Sequence, residues 1–127
     1  MTTATQQISV LIVDDEEDIR LLIRTVIRTA GDDLAICGEA ADGADAIELL
    51  EHEHCDVVVL DQRMPGMTGI ETATELLRRH PEQHIVLCSA YLDTELRQEA
   101  EAAGIHECLG KGEIRRIPQV IRAIAGR

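Results

Sequence analysis

The chain predicts a doubly wound α/β domain: one five-stranded parallel sheet with five helices covering both faces. Three observations carry this expectation. Short apolar runs recur at residues 8–13, 34–38, 56–60, 85–88 and 105–109. Amphipathic stretches of helical period separate them. The connections are short, and the runs are apolar throughout rather than alternating, as expected for strands buried on both faces.

Each element has its own justification. The run at 8–13 ends in Asp14-Asp15-Glu16-Glu17-Asp18, after which Ile19, Leu22, Ile23, Val26, Ile27 and Ala30 recur at spacings of 3 and 4, one face of a helix stopped by Gly31. Residues 34–38 form the second strand. Asp42-Gly43 opens a second helix, with Ala44, Ile47 and Leu50 inward and an end near His52. The third strand, 56–60, runs into Asp61-Gln62-Arg63-Met64-Pro65-Gly66-Met67-Thr68-Gly69, where Pro and Gly mark a tight loop. Ile70, Ala73, Leu76 and Leu77 mark the third helix, closed by Pro81. After the strand at 85–88, Ser89-Ala90-Tyr91-Leu92 leads into a weakly patterned helix with Leu96, Ala100 and Ala103 inward, closed by Gly104. A short fifth strand precedes Lys111. The last helix starts near Arg116 or Ile117, with Pro118 in its first turn, where proline is tolerated.

Composition narrows the function. The 127 residues provide one domain with a real core, residues 8–125, preceded by a polar arm at 1–7 that is expected to be disordered. A formal net charge of −12 without a basic run argues against direct contact with nucleic acid. No apolar run approaches a membrane span and no signal peptide is present, so the expectation is a soluble, cytoplasmic protein. Cys37, Cys55, Cys88 and Cys108 are widely spread, and reduced, buried thiols are expected. Tyr91 is the single aromatic residue, so Ile, Leu, Val, Ala and Met must build the core. His52-Glu53-His54-Cys55 looks like a metal-binding tract but is read as a solvated helix end.

The chemistry lies at one edge of the sheet. In a parallel sheet the loops after the first, third, fourth and fifth strands share the carboxyl edge, where such sheets bind ligands. Those loops bring Asp14 and Asp15, Asp61, Ser89 and Lys111 together. Singly, each has a bland reading: a helix cap, a solvated charge run, a surface lysine, or for Ser89 the N-cap of the fourth helix. Together they form a set. Crowded carboxylates persist best around a cation, and oxygen donors without His or Cys suit partly hydrated Mg²⁺. A carboxylate can attack phosphorus, while a metal, an ammonium group and a hydroxyl hold the transferring oxygens.

These residues resemble the receiver domain of bacterial two-component response regulators. Val13-Asp14-Asp15-Glu16 looks like the family's acidic pocket, and the loop from Asp61 to Gly69 looks like its D-x-x-M-P-x-M-x-G segment. Ser89-Ala90 is similar to its switch Thr/Ser-Ala, and Lys111 matches its lysine. The spacings agree: 46 residues from Asp15 to Asp61, 28 on to Ser89 and 22 on to Lys111. The resemblance implies the flavodoxin-like strand order 2-1-3-4-5 and a phosphoacceptor rather than an enzyme. Asp61 would be phosphorylated by a histidine kinase or a histidine phosphotransfer protein. Mg²⁺ would be held by Asp15, Asp61 and the backbone carbonyl of Arg63, with Asp14 acting partly through water. Ser89 and Lys111 would engage the phosphoryl group, and a downstream protein partner would read the face formed by the fourth helix, fifth strand and fifth helix. The oligomeric state is left open, dimerisation on activation included.

Three departures from the family pattern stand out. Cys108 occupies the position of the switch aromatic, three residues before the lysine. Lys111-Gly112 replaces Lys-Pro, so no cis bond is expected there, and Gly112 should loosen the loop. Arg63 and Tyr91, each two residues past a key position, would flank the phosphoryl group. A haloacid dehalogenase-type phosphatase would need an acid where Arg63 stands, and a flavodoxin-like flavin module would need a Gly/Ser/Thr-rich loop where Asp14-Asp15 stand. A stand-alone receiver is the favoured reading. The alternative is the receiver half of a DNA-binding transcription regulator, because Lys-Gly and the ending from Ile121 to Arg127 resemble receivers that precede a helix-turn-helix domain.

Overall fold

A computed structural model describes residues 6–126. The elements follow in strict alternation: β1 (Ile8–Val13), α1 (Glu17–Ala30), β2 (Leu34–Ala40), α2 (Gly43–His52), β3 (Val57–Leu60), α3 (Gly69–Arg79), β4 (His84–Ser89), α4 (Thr94–Ala102), β5 (Glu107–Gly110) and α5 (Ile117–Ile124), with a 3₁₀ turn at Lys111–Arg116 before α5. All five strands are parallel in the order β2-β1-β3-β4-β5. The expected order is therefore observed.

The period-two geometry of β1 divides the core. Ile8, Val10 and Ile12 pack with Ile23 and Ile27 of α1 and with Ile117, Val120 and Ile121 of α5. Leu11 and Val13 face the other way, against Ala46 and Leu50 of α2, Ala73 and Leu76 of α3 and Ala100 of α4. Both sheet faces are thus covered, which is why β3 (Val-Val-Val-Leu) is apolar and buried at every position.

Helix boundaries follow the local chemistry. The α3 N-terminus is a reciprocal capping box: Glu71 N donates to Thr68 Oγ1 at 3.1 Å, and Thr68 N donates to Glu71 Oε1 at 2.8 Å. In α4 the cap is Asp93, whose carboxylate accepts from Leu96 N at 2.8 Å. Ser89 instead ends β4, so the capping reading for Ser89 fails. In α5, Pro118 lies in the first turn, as expected.

Four expectations need correction. Leu22 is 48% exposed, because the buried stripe of α1 centres on Ile23 and Ile27 and Leu22 lies about 100° around the helix from Ile23. Ala44 is exposed because α2 turns Gly43, Ala46 and Leu50 inward. The arm at 1–7, expected to be disordered, lies outside the described residues but for its last two, where Gln7 Nε2 donates to Asp32 O at 3.0 Å. Cys37 and Cys55 are joined in a disulfide, their Cα atoms 6.1 Å apart, and only Cys88 and Cys108 remain free among the described residues. The Lys111–Gly112 bond is trans, as expected, but Gly112 lies within the 3₁₀ turn rather than in a loose loop.

Candidate functional site

Strand register assembles the site. Val13 pairs with Leu60, and Asp61 N donates to Val13 O at 2.9 Å, so the residues following β1 and β3 emerge side by side. Ser89 pairs with Gly110, which places Lys111 one residue beyond. Asp14, Asp61 and Ser89 are 1%, 3% and 1% exposed, an unusual degree of burial for carboxylates.

Lys111 ties the cluster together. Its Nζ lies 3.1 Å from Asp14 Oδ2, 3.4 Å from Asp61 Oδ1 and 3.6 Å from Glu16 Oε1. Burial works against the ammonium charge, but the hydrogen bond to Asp14 and the charges of Asp61 and Asp14 outweigh it and raise the lysine's pKa. For Asp61 the balance goes the other way. Burial, then the charge of Asp14, pushes its pKa up to about 6, against the opposing pull of Lys111 and a hydrogen bond from the backbone N–H of Arg63. One ammonium group does not neutralise two buried carboxylates.

The donor set fits a hard cation. Carboxylate oxygens of Asp14, Asp15 and Glu16 lie within 4.8 Å of one another. All are oxygen donors, and Asp15 and Glu16 remain exposed to solvent. Sequence reasoning placed Glu16 in the acidic pocket but did not count it as a candidate ligand. Its approach to Asp14 depends on a local turn, in which Glu16 N donates to Asp14 Oδ1 at 2.8 Å. Asp61 stands outside this three-carboxylate group and joins it through Lys111.

Above the cluster lies a cavity of about 660 Å³ whose wall includes Asp15, Arg63, Met64, Ser89 and Tyr91. The Arg63 guanidinium carbon is 4.9 Å from the centroid of the Tyr91 ring, so the two side chains close one side of the opening. Ser89 Oγ donates to Tyr91 O and accepts from Tyr91 N, both at 3.3 Å. The serine hydroxyl is therefore engaged with the backbone of the chain's one aromatic residue, which is 69% exposed. Cys108, on β5, is partly buried and packs against the α2–α4 side of the core.

The tract at 52–55 is not a metal centre in this structure. His52 Nε2 pairs with Glu48 at 3.1 Å and His54 Nε2 with Asp56 at 3.0 Å, while Cys55 is in the disulfide. No helix of the described residues is long and apolar enough to cross a membrane.

Comparison with known proteins agrees with this architecture. The family model for the response regulator receiver domain matches residues 10–122. The chain is 35% identical to the chemotaxis protein CheY of Thermotoga maritima over 80% of its own length and 83% of that protein. It is also 35% identical to a protein-glutamate methylesterase/protein-glutamine glutaminase of Pyrococcus horikoshii, over 94% of this chain but 30% of that protein. Among solved structures, the receiver domain of the putative response regulator NarL from Mycobacterium tuberculosis superposes with a TM-score of 0.84 at 29% identity, covering 96% of this chain and 99% of that one. A LuxR-family response regulator from Aurantimonas gives 0.89 at 27% identity, covering 96% and 88%. The chain belongs to the receiver-domain family of two-component response regulators.

Proposed function

We propose that Asp61 is the phosphoacceptor and that the chain relays a signal from a histidine kinase or a histidine phosphotransfer protein to a downstream protein. The observation that carries this reading is the environment of Asp61: a buried carboxylate at the carboxyl edge of the sheet, 3.4 Å from an ammonium group, with the next residues, Gln62 and Arg63, lining a cavity. In the transfer, an Asp61 oxygen attacks the phosphorus of a phosphohistidine that carries a proton on its other ring nitrogen, the P–N bond breaks, and the bond's electron pair returns to the ring, which leaves as neutral imidazole. Lys111 neutralises the oxygens of the arriving group, and Ser89 donates its hydroxyl to one of them.

Mg²⁺ would be held by Asp14, Asp15, Asp61 and the backbone carbonyl of Arg63, with Glu16 at the rim, and when bound it supplies charge neutralisation for the phosphoryl oxygens. Donation from Ser89 to the phosphoryl group would take its hydroxyl proton away from Tyr91 O and loosen that loop. The face of α4, β5 and α5 would respond as a shift in population between two loop arrangements, read by the protein partner. This route needs no aromatic at Cys108. The acidic surface supports a protein partner over nucleic acid, and the reading places the chain in the cytoplasm.

Intact mass after incubation with acetyl phosphate and Mg²⁺ tests the proposal. The parent gains one phosphoryl group, while Asp61→Asn and an EDTA-treated control gain none. Labelling of Asp61→Asn to the parent's extent would overturn the assignment. With no label from acetyl phosphate, a phosphorylated histidine donor decides, and failure with that donor also rejects the phosphoacceptor reading.

Arg63 and Tyr91 should set the lifetime of the phosphorylated form. Their stacked side chains limit the approach of water to the acyl phosphate, and such a contact at an exposed site is worth about 0.5–1 kcal/mol. Replacing both with Ala should shorten the phosphate half-life roughly two- to fivefold, followed by loss of the added mass over time. An unchanged half-life would remove them from this role.

A further inference from the structure

The Cys37–Cys55 bridge sits at a β-bulge. Val10 pairs with Ile36 and Leu11 with Gly38, so Cys37 is the extra residue of β2. Ile36 packs on the α1–α5 side of the sheet and Cys37 on the opposite side. In an uninterrupted strand Gly38 would turn back toward α1. Instead, a Cβ at Gly38 would meet Leu49 Cδ1 at 2.9 Å and Leu11 Cδ1 at 3.7 Å, both on the α2 side. Two successive residues of β2 thus face α2, and a side chain at the second would have to displace the Leu49 side chain. Cys37, at the bulge, is bonded to Cys55, which is fully buried in the turn between α2 and β3 and anchored through Gln83 Nε2 to Cys55 O at 3.0 Å.

The stretch just past the bulge touches the acidic site. Glu39 pairs with Arg20 and Arg24, and Arg20 Nη1 donates to Asp14 O at 2.6 Å. Ala40 O accepts from Asp14 N at 3.1 Å. The register of residues 38–40 against β1 therefore determines where the Asp14 backbone sits.

We propose that Cys37 and Cys55 form a reversible thiol–disulfide exchange site for low-molecular-weight disulfides, and that its redox state is transmitted through the β2 bulge to Asp14. The partly exposed Cys37 thiolate attacks one sulfur of the donor disulfide, whose S–S bond breaks and releases a first thiol. The Cys55 thiolate then attacks the Cys37 sulfur of the mixed disulfide, closing the bridge and releasing the second thiol. Two protein thiols are oxidised and one donor disulfide is reduced to two thiols, and excess thiol reverses both steps. Cys88 does not compete, since burial pushes its thiol up to about 12; burial also raises the thiol of Cys108. The bridge holds the bulge in one register, and its reduction frees residues 38–40 to exchange registers, because a strand is held most weakly next to a bulge on a sheet edge.

The test uses the full chain, first reduced and then equilibrated with mixtures of reduced and oxidised glutathione. Its readouts do not depend on phosphorylation or metal binding, so its failure is separable from failure of the phosphoacceptor reading. Maleimide mass counting should show two thiols lost in oxidised glutathione, with a cross-linked Cys37–Cys55 peptide, both reversed by reduced glutathione. Hydrogen exchange at the Asp14 amide should be about tenfold slower in the oxidised chain than in the reduced one. Cys37→Ser and Cys55→Ser should show neither the cross-link nor the difference. Four reactive thiols under every condition, or a glutathione adduct that persists on Cys37, would overturn the exchange site. A cross-link with equal Asp14 exchange in both states would overturn the link to the acidic site.

Discussion

Asp61→Asn should make the metal-free protein more stable at neutral pH, by about 3 kcal/mol. In the folded chain burial and the Asp14 charge hold the Asp61 carboxyl near 6, whereas its ordinary value is 3.8. At about 1.36 kcal/mol per pH unit, that gap is worth about 3 kcal/mol. The sign follows from proton binding. Between pH 4 and 6 the folded state keeps a proton on Asp61 that the unfolded chain has released, so stability falls as pH rises through this window. Above it the full penalty is present, and below about pH 4 it is absent. Asparagine has nearly the same shape without the charge, and Lys111 keeps its 3.1 Å partner in Asp14. Urea unfolding in EDTA at pH 7, 5.5 and 4 should show a stabilisation that shrinks toward zero with acid. Mg²⁺ should stabilise the parent more than the variant. A variant less stable than the parent at pH 7 would mean that the Lys111 contact outweighs burial.

Strand topology explains why the site could be read from the chain. Asp14, Asp61, Ser89 and Lys111 each follow an apolar run, and parallel strands deliver such residues to one edge whatever the details of the helices. Five apolar runs with short connections leave little freedom in that outcome. What was not legible depends on contacts outside the local pattern. Glu16 joins the acidic group only because Asp14 accepts from its backbone N–H. Leu22 and Ala44 fit a helical repeat but lie off the buried stripe, because the true centre of each stripe is set by the sheet it meets. The disulfide brings Cys37 of β2 against Cys55 in the turn before β3, and an 18-residue spacing carries no trace of that approach. Ser89 looked like a helix cap, yet Asp93 lies closer to α4 and takes that role.

The largest effect from removing no functional group at all should come from Gly69→Ala. Gly69 opens α3, and its N–H donates to Gln62 O at 2.9 Å, drawing the helix start against the chain just past Asp61. A Cβ there would lie 2.3 Å from Asp61 O, 2.9 Å from Gln62 Cα and 3.0 Å from Asp61 C. These are backbone atoms, so no side-chain rotation relieves the clash. The backbone must move, and its position is fixed by Asp61 N donating to Val13 O on one side and by the capping box of α3 on the other. A cost of about 3 kcal/mol or more is expected, at the upper end of overpacking effects. The displaced segment carries Asp61, so acetyl phosphate labelling should slow together with the loss of stability. Gly112→Ala is the matched control, since a Cβ there meets nothing within 4 Å, and it should change stability by no more than about 0.5 kcal/mol. If urea unfolding finds the two variants equally stable, the loop after β3 shifts without cost. The close approach would then not be the reason for glycine at the end of the D-x-x-M-P-x-M-x-G segment.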